Sequence, residues 1–267
     1  MGAEIHQTAV VEDGAIIGDG VKIGAYSCVG GNVELGNNVE IKSHVVVGGF
    51  TRIGQGCRLF PFASIGQQPQ DLKFHGEASH LEIGENNTIR EYVTMNPGTE
   101  GGGMITRVGS GGTFMVGAHV AHDCVIGDGV IMANYASLGG HVYVGDHAII
   151  GGLAAIHQFV RIGPHAMIGG MSGVEQDVIP YGSVMGDRAA LCGLNLVGLK
   201  RRGFTRDSIR SMRDAYRQLF DPQGTLKQRV EQVGTSYAET PEVMDIVKFL
   251  AGESIRSICL PKVDRGS

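Results

Sequence analysis

Residues 15–36 read AIIGDGVKIGAYSCVGGNVELG, and within them an aliphatic residue recurs at every sixth position, usually followed by glycine. The same spacing continues on both sides of this stretch. The aliphatic residues of this first run are Ile5, Val11, Ile17, Ile23, Val29, Leu35, Ile41, Val47, Ile53, Leu59 and Ile65. Such a period is the hexapeptide signature of a parallel β-helix, in which three hexads make one triangular coil. We therefore predict a prism with the aliphatic side chains inside and glycine where a Cβ would obstruct the tight corner.

Two stretches interrupt the repeat. The first covers residues 67–81 and leaves the phase of six unchanged, whereas the second, residues 96–107, shifts it by one. The repeat then runs from Val108 to Val174 and ends at Pro180. We therefore predict an all-β helix over residues 1–190 with two inserted loops. Roughly nine coils at about 4.8 Å per strand give a prism some 40 Å long.

The remainder, residues 191–267, is predicted to be a C-terminal α-helical domain. Thr205 can cap a helix that ends before the Asp221–Gly224 segment and whose apolar residues recur at helical spacing. These residues are Ile209, Met212, Tyr216, Leu219 and Phe220. Further helices are predicted over residues 225–238, after Pro241 and near the C-terminus. Residues 200–220 are basic, although the chain as a whole has a net charge of -5.

Composition excludes several classes of protein. Glycine contributes 43 of the 267 residues, tryptophan is absent, and hydrophobic residues still reach 42%, which argues against disorder. No apolar run is long enough to cross a bilayer, and the first residues lack a secretory pattern, so we expect a cytoplasmic protein. We expect no nucleic-acid partner. The five widely spaced cysteines predict neither a disulfide framework nor a zinc knuckle.

Six of the ten histidines lie between residues 119 and 165. Because one coil spans 18 residues, Asp123, His141 and Phe159 should stack on one edge of the prism. A larger group should crowd the same region: His119, His122, His141 and His157. Such a cluster fits acid–base catalysis, metal ligation or a merely solvated edge. A second pair at the same spacing, His147 and His165, is predicted to be stacked or solvated.

His122 has the neighbours that acid–base catalysis needs. Asp123 follows it directly, and a carboxylate can orient an imidazole and raise its basicity. Gly139 and Gly140 expose backbone N–H groups beside the predicted position, as an oxyanion site requires. These residues favour catalysis over a solvated edge.

Five motifs carry a closer resemblance: QDLK at 70–73, HVAHDC at 119–124, GGH at 139–141, HQF at 157–159 and GLKRRGF at 198–204. Together they resemble the acyl-ACP–UDP-N-acetylglucosamine O-acyltransferase family, which opens lipid A biosynthesis. The likeness covers nearly the whole chain. It implies a left-handed coil, a homotrimer with sites between subunits, and neither cofactor nor metal. The implied reaction transfers a 3-hydroxyacyl chain from acyl carrier protein to the glucosamine 3-position of UDP-N-acetylglucosamine.

The resemblance also implies a role for each matching residue. His122 would be the general base, Asp123 would support it, and the Gly140 N–H would stabilise the oxyanion. The residues that would hold the sugar, the diphosphate or the acyl group are Asp71, Lys73, His119, His141, His157 and Gln158. The residues that would contact the nucleotide and phosphates are Asn195, Arg201 and Arg202.

Two further features bear on the acyl donor. Gly170 stands where a bulky residue closes the acyl groove in some relatives, so it is predicted to set acyl-chain length by leaving the groove open. A stripe on the predicted helix after Thr205 consists of Arg206, Arg210, Arg213 and Arg217. We expect it to dock the acidic carrier protein, with a solvated helix face as the alternative. The inserts are expected to reach the neighbouring subunit and bring Asp71 and Lys73 to its site.

The chain departs from the family pattern at two places. Val197 replaces a glutamate, and residues 95–99 read MNPGT in place of the common IHRGT. These changes leave open whether the acceptor carries a 3-hydroxyl or a 3-amine. Three other functions are alternatives: a zinc hydratase of the same fold with His119 and His122 as ligands, a non-catalytic scaffold, and the later N-acyltransferase of the same pathway. The last carries a uridine-binding domain before its repeats, whereas hexads begin here at Ile5.

Overall fold

The computed structural model describes residues 2–262 and confirms a left-handed parallel β-helix followed by helices. Within the described residues, three sheets of 11, 9 and 8 strands form the faces of a prism, here called faces A, B and C respectively. From the first strand to the one at Gly182–Met185, neighbouring strands on a face are parallel and one coil apart, as in the register Ile131, Ile149 and Met167 on face A. The predicted step of 18 residues per coil is confirmed.

The strands, in chain order, are β1 Glu4–Ile5, β2 Val10–Val11, β3 Ile16–Ile17, β4 Lys22–Ile23, β5 Cys28–Val29, β6 Glu34–Leu35, β7 Glu40–Ile41, β8 Val46–Val47, β9 Phe50–Ile53, β10 Arg58–Leu59, β11 Ser64–Ile65, β12 His80–Ile83, β13 Thr88–Ile89, β14 Thr94–Met95, β15 Ile105–Val108, β16 Thr113–Phe114, β17 His119–Val120, β18 Val125–Ile126, β19 Ile131–Met132, β20 Ser137–Leu138, β21 Tyr143–Val144, β22 Ile149–Ile150, β23 Ala155–Ile156, β24 Arg161–Ile162, β25 Met167–Ile168, β26 Gly173–Val174, β27 Gly182–Met185 and β28 Ala190–Leu194. The helices are α1 Leu196–Arg201, α2 Arg206–Leu219, α3 Leu226–Ser236 and α4 Pro241–Ala251, and a 3₁₀ turn covers Glu100–Gly102.

The core is a stack of aliphatic side chains inside the prism. In a two-residue strand such as β10, Arg58 faces solvent and Leu59 is fully buried. The small residue four positions after each inward aliphatic is buried as well, as at Val21 and Val39. Burying each such aliphatic side chain stabilises the fold by about 1.5–3 kcal/mol.

Glycine after the aliphatic residue permits close stacking of the coils. A Cβ added to Gly24 would lie 2.7 Å from the backbone carbonyl carbon of Lys42 in the next coil. The left-handed backbone conformation of the corners falls three positions after the inward aliphatic residue, on glycines such as Gly20 and on larger residues such as Tyr26 and His44, both with φ 60°. Their rings lie 5.1 Å apart, so ring contacts between coils accompany these corners.

The two inserts lengthen two coils without breaking the stack. Ile65 pairs with Met95 and Met95 pairs with Val120, although these partners lie 30 and 25 residues apart rather than 18. Side chains on both sides of each insert therefore keep facing inward. The prism continues past the end of the hexad repeat at Pro180, within the predicted range 1–190, because Val184 still pairs with Ile168. After it, β27 and β28 form an antiparallel pair that spans the predicted boundary at residue 190.

The helix signals of the sequence are largely confirmed. Thr205 caps α2, its Oγ1 accepting a hydrogen bond from the Ser208 N–H at 3.1 Å, and Thr225 forms a capping box with Gln228 at α3. A helix near the C-terminus is wrong for the described part, residues 252–262. This segment returns to the prism because its backbone pairs there, with Ile258 bridged to Asp177. Among residues 2–262, no helix has the length and apolar character needed to span a bilayer.

Candidate active site

The predicted stack of Asp123, His141 and Phe159 lies on the edge between faces B and C, here called the B–C edge. All three residues take the left-handed conformation, with φ between 60° and 65°. The rings of His141 and Phe159 are nearly parallel, with centroids 4.4 Å apart. The His122 ring meets His141 edge-on at 5.1 Å. The 18-residue step therefore does bring an imidazole pair and a carboxylate together.

His122 and Asp123 form a hydrogen-bonded pair. Nδ1 of His122 lies 2.8 Å from Oδ2 of Asp123, whose side chain is fully buried, whereas that of His122 is 15% exposed. An ionised carboxylate only accepts hydrogen bonds, so Nδ1 carries the proton. The neutral imidazole then has its lone pair on Nε2. That tautomer is the one a general base requires.

The second insert covers this carboxylate. Thr99 donates its backbone N–H to Oδ1 of Asp123 at 2.9 Å and its hydroxyl to Oδ2 at 2.6 Å. The Asp123 N–H in turn donates to Oγ1 of Thr106 at 2.7 Å. Gly102 lies so close that a Cβ there would overlap the carboxylate. Sequence reasoning missed all three residues because their distances from Asp123 along the chain are not multiples of the 18-residue coil.

Gly140 lies directly under the imidazole. A Cβ added at Gly140 would lie 2.6 Å from Nε2 of His122, well inside ordinary van der Waals contact. The neighbouring N–H groups of Gly139 and His141 bond to other coils, but the Gly140 N–H donates to none of the described residues. It is therefore free to bind an exogenous oxygen beside Nε2.

The same corner slot binds negatively charged oxygens elsewhere in the prism. The N–H of Gly31 donates to Oε2 of Glu12 at 2.9 Å, and the N–H of Asp128 donates to Oδ1 of Asp146 at 2.8 Å. Both residues stand two positions after an inward aliphatic residue, as Gly140 does. The geometry of this corner thus suits an oxyanion.

Burial keeps the flanking histidines neutral. Desolvation lowers the pKa of His119, with a smaller contribution from His122, and Nδ1 of His119 lies 2.7 Å from the hydroxyl of Thr94. Desolvation also lowers the pKa of His141, opposed by the Asp123 carboxylate, and His122 lowers it further. Neutral imidazoles can both donate and accept hydrogen bonds to a polar substrate.

The first insert contributes an acidic residue near the same cluster. The Asp71 carboxylate slightly raises the pKa of His141 in its own chain, whereas the sequence predicted that this residue reaches the neighbouring subunit. Oδ1 of Asp71 also accepts the backbone N–H of Lys73 at 3.0 Å, which closes a turn. The side chain of Lys73 is exposed.

The C-terminal segment 252–262, which we call the strap, lines the far side of the site. A cavity of about 600 Å³ opens beside His141 and Phe159, and Arg161, Glu253, Ser254 and Ile255 complete its lining. The buried Asp177 carboxylate anchors the strap, since it accepts hydrogen bonds from Arg161 Nε at 2.7 Å and from the Ser254 hydroxyl at 2.6 Å.

The strap also reaches the predicted substrate residues His157 and Gln158, which are exposed. Nη2 of Arg256 lies 2.7 Å from Nδ1 of His157, and its Nε donates to the Gln158 carbonyl at 3.1 Å. A guanidinium only donates, so Nδ1 of His157 accepts and its Nε2 carries the hydrogen. Arg256 has no sequence signal, because it lies 99 residues from His157.

The three predicted nucleotide residues lie on another part of the prism. Asn195, Arg201 and Arg202 line a cavity of about 620 Å³ that lies against the outward residues of face A. Val197 lines the same cavity. Asn195 caps α1, its Oδ1 accepting the Gly198 N–H at 3.0 Å. Within one chain, this cavity and the His122 pair therefore occupy different parts of the prism.

Arg202 is partly tied to the edge between faces C and A. Its Nη1 donates to the His147 carbonyl at 2.7 Å and lies 3.2 Å from Nδ1 of His165. The rings of His147 and His165 stack at 5.1 Å, as predicted. Burial, with the neighbouring Arg202 cation and His147, lowers the pKa of His165 to about 4.

The remaining predicted residues are exposed. The four arginines of α2 face solvent, and Arg217 pairs with Asp214 one turn earlier. Gly170 lies on the edge between faces A and B with a negative φ, and a Cβ there would meet the Gly152 carbonyl oxygen at 3.2 Å. The corner therefore does not depend on a left-handed glycine at this position.

Among residues 2–262, one group has donors arranged for a possible metal ion: His122, Asp123 and His141, whose ligand atoms lie within 4.8 Å of one another. Both carboxylate oxygens of Asp123 already accept hydrogen bonds from Thr99 and His122. These hydrogen bonds fit a carboxylate whose role is to orient the His122 imidazole, and they would also fit a carboxylate that binds a metal ion.

Comparison with known families places two family models on the chain. The model described as UDP-N-acetylglucosamine O-acyltransferase, domain 2, matches residues 177–259. The model for bacterial transferase hexapeptide repeats matches residues 14–49. The two matches cover the C-terminal segment and part of the repeat.

Curated relatives and solved structures are similar over most of the chain. An acyl-[acyl-carrier-protein]–UDP-N-acetylglucosamine O-acyltransferase of Caulobacter vibrioides is 58% identical over 81% of this chain and 82% of its own length. The Rickettsia canadensis enzyme of the same name is 51% identical over 96% and 97%. The crystal structure of Francisella novicida UDP-N-acetylglucosamine acyltransferase has a TM-score of 0.93 at 37% identity, covering 97% of this chain and 95% of that one.

Proposed function

This chain belongs to the acyl-ACP–UDP-N-acetylglucosamine O-acyltransferase family, and we propose that His122 is the general base of its reaction. The chain is an acyltransferase. Its donor is a 3-hydroxyacyl chain on acyl carrier protein, and its acceptor is the glucosamine 3-position of UDP-N-acetylglucosamine. The reaction opens lipid A biosynthesis.

The transfer needs a proton acceptor, a nucleophile and a site for negative charge. Nε2 of His122 takes the proton from the glucosamine 3-hydroxyl, and the oxygen attacks the thioester carbonyl carbon. The Gly140 N–H stabilises the oxyanion that forms. The intermediate collapses, the carbon–sulfur bond breaks, and the imidazolium returns its proton to the leaving thiolate. The ester product and the free thiol of the carrier protein result.

The observation that carries this proposal is the hydrogen bond between Nδ1 of His122 and buried Asp123, with the free Gly140 N–H beside Nε2. His122→Ala should reduce kcat by about 10²–10⁴-fold, the usual contribution of a positioned base. Folding should be unaffected, and circular dichroism with a melting curve checks this. A folded His122→Ala enzyme with near-normal turnover would contradict the assignment.

We further infer that the working site lies between subunits of a homotrimer. The basis is the separation described above: His122 occupies the B–C edge, whereas Arg201 and Arg202 line the face A cavity of the same chain. In a three-fold ring, the B–C edge of one subunit can meet face A of the next. The diphosphate would then bind to guanidinium groups of the neighbour, which suit anionic oxygens.

Mixing inactive subunits tests this arrangement. His122→Ala and the double variant Arg201→Ala/Arg202→Ala would be denatured together in equal amounts and refolded. If one site takes His122 from one subunit and the arginines from the next, about a quarter of the sites are intact. Recovery of activity supports the proposal. An inactive mixture, or an active monomer in sedimentation, contradicts it.

We also propose that the enzyme works in the cytoplasm and uses no metal or other cofactor. The five cysteines are all free, and Cys57, Cys124 and Cys259 are buried, as expected in a reducing compartment. The rival zinc hydratase was predicted to bind its metal through His119 and His122, whereas among the described residues the ligand atoms that lie close together belong to His122, Asp123 and His141. Metal analysis of active protein purified without chelator separates the two, since a stoichiometric zinc that activity requires would favour the hydratase.

A further inference from the structure

Thr99 occupies a helix-start position without acting as a cap. It precedes the 3₁₀ turn Glu100–Gly102 with extended φ and ψ of -132° and 162°. A threonine in this position usually accepts a hydrogen bond from the turn through its side-chain oxygen. Here the side chain makes no such bond, and the hydroxyl is directed to Asp123 instead. Thr99 thus departs from the usual capping role of threonine, and its hydroxyl serves the Asp123 carboxylate instead of the 3₁₀ turn.

Both donors of Thr99 bind the one carboxylate. The N–H donates to Oδ1 at 2.9 Å and the hydroxyl donates to Oδ2 at 2.6 Å, so two donors on one residue fix the orientation of the carboxylate plane. Oδ2 then accepts from Nδ1 of His122 at 2.8 Å. Rotation of the Asp123 carboxylate would break all three hydrogen bonds together.

Water has no room to replace these donors. Thr99 is 4% exposed, the Asp123 side chain is fully buried, and Gly102 lies against the carboxylate where a larger residue would overlap it. A buried carboxylate that loses a donor therefore stays short of a hydrogen bond. It would then shift or rotate, and His122 would lose its fixed orientation.

We propose that Thr99 is a positioning residue for acyl transfer, which fixes the Asp123 carboxylate so that its Oδ2 orients His122. This inference rests on the proposed role of His122 as general base. Thr99 touches no substrate in this scheme, and its effect passes through Asp123 alone. The second insert thus helps to orient His122, because its residue Thr99 fixes the Asp123 carboxylate.

Thr99→Val removes the hydroxyl and keeps the shape of the side chain. Hydrogen bonds to charged groups are strong enough that kcat should fall about ten- to a hundred-fold. KM for both substrates should change less than about two-fold, because the substrates do not contact Thr99. Thr99→Ser restores the hydroxyl and should recover most of kcat. Thr99→Ala should show the same loss as Thr99→Val if the hydrogen bond, not packing, is responsible.

A matched control and a double variant separate positioning from stability. Thr51→Val removes another buried threonine hydroxyl, which donates to the Gly48 carbonyl at 2.6 Å, and should leave kcat unchanged. In an Asp123→Asn background, Thr99→Val should cause no further loss, because its partner has already changed. Melting curves of all variants accompany the kinetics.

The outcomes are distinct. If Asp123→Asn and His122→Ala are impaired but Thr99→Val retains full kcat, this inference is wrong and the proposed function stands. If Thr99→Val lowers kcat equally with and without Asp123→Asn, the effect does not pass through the carboxylate and the inference is also wrong. If His122→Ala is fully active, the proposed function itself fails.

Discussion

Replacing Gly140 by alanine should displace the His122 imidazole, our proposed general base, while leaving the proposed oxyanion donor, the residue 140 N–H, in place. The new Cβ would lie 2.6 Å from Nε2 of His122, whereas ordinary contact begins near 3.4 Å. The ring must therefore retreat by at least about 0.8 Å or rotate about its bonds, because Cε1 of the same ring lies closer still to the new Cβ. Alanine keeps the backbone N–H, and φ at residue 140 is not positive, so the corner itself can form.

The size of the effect follows from that displacement. A misplacement of about 1 Å in a catalytic group can cost about 10²-fold in rate. His122 is also held by a 2.8 Å hydrogen bond to Asp123, which a shift of this size would stretch or break. We therefore expect kcat for Gly140→Ala to fall about a hundred-fold, with KM for the UDP-sugar changed little.

The assay is steady-state transfer from 3-hydroxyacyl carrier protein to UDP-N-acetylglucosamine, followed by mass spectrometry of the product. Gly152→Ala is the matched control, because Gly152 occupies the same corner slot and the nearest atom to its new Cβ would be the Asn134 carbonyl oxygen at 3.3 Å. This variant should keep normal turnover. A folded Gly140→Ala enzyme with wild-type kcat would refute the reasoning, since it would show that His122 can work without its position over Gly140.

Three further predictions concern the acyl donor and stability. Gly170→Met adds an exposed side chain where the family resemblance predicts the acyl groove, and it should shift preference to a shorter acyl chain without changing UDP-sugar affinity, because each buried CH₂ of the acyl chain is worth about 0.8 kcal/mol. An unchanged chain-length profile would show that another residue closes the groove. Charge reversal at Arg210 and Arg213 should raise KM for the acidic acyl carrier protein at low salt, and the effect should fade as salt screens the charges. An unchanged KM would show that these arginines only form a solvated helix face. The pKa of His165 falls from 6.5 to about 4 on folding, so between these pH values the unfolded chain binds a proton that the folded chain does not, and stability should decline as pH falls from about 6.5 to about 4. The melting temperature of His165→Gln should therefore depend less on pH than that of the wild type, and an equal pH dependence would contradict the lowered pKa of His165.

The fold followed from the sequence because each hexad carries its own signal. An inward aliphatic residue such as Leu59 and the glycine that permits close stacking recur at fixed spacing, so the register is readable without any distant contact. The same step of 18 residues correctly stacked Asp123, His141 and Phe159. Helix starts at Thr205 and Thr225 were readable for the same reason, since a cap is a local interaction.

Contacts made by segments outside the repeat were not readable. Thr99 lies 24 residues from Asp123 and Arg256 lies 99 residues from His157, and neither separation is a multiple of the coil. Apolar periodicity shows which side chains face the core but not where an insert or the strap comes to rest. The predicted helix near the C-terminus failed because backbone pairing of Ile258 with Asp177 prevails over local preference.

The unbroken register across the inserts determines where the chain can gain or lose residues. Outward Arg58 and inward Leu59 alternate within β10, so deleting one residue from a hexad would turn every later side chain of that run to the opposite side. A residue lost from the loop parts of the inserts, 67–79 or 96–104, would leave the facing of all later hexads as it is, because Ile65 still meets Met95 and Met95 still meets Val120. The prism therefore tolerates insertions and deletions in these two loops, which border the candidate active site. The prism can stay constant while the loops beside the candidate site grow or shrink.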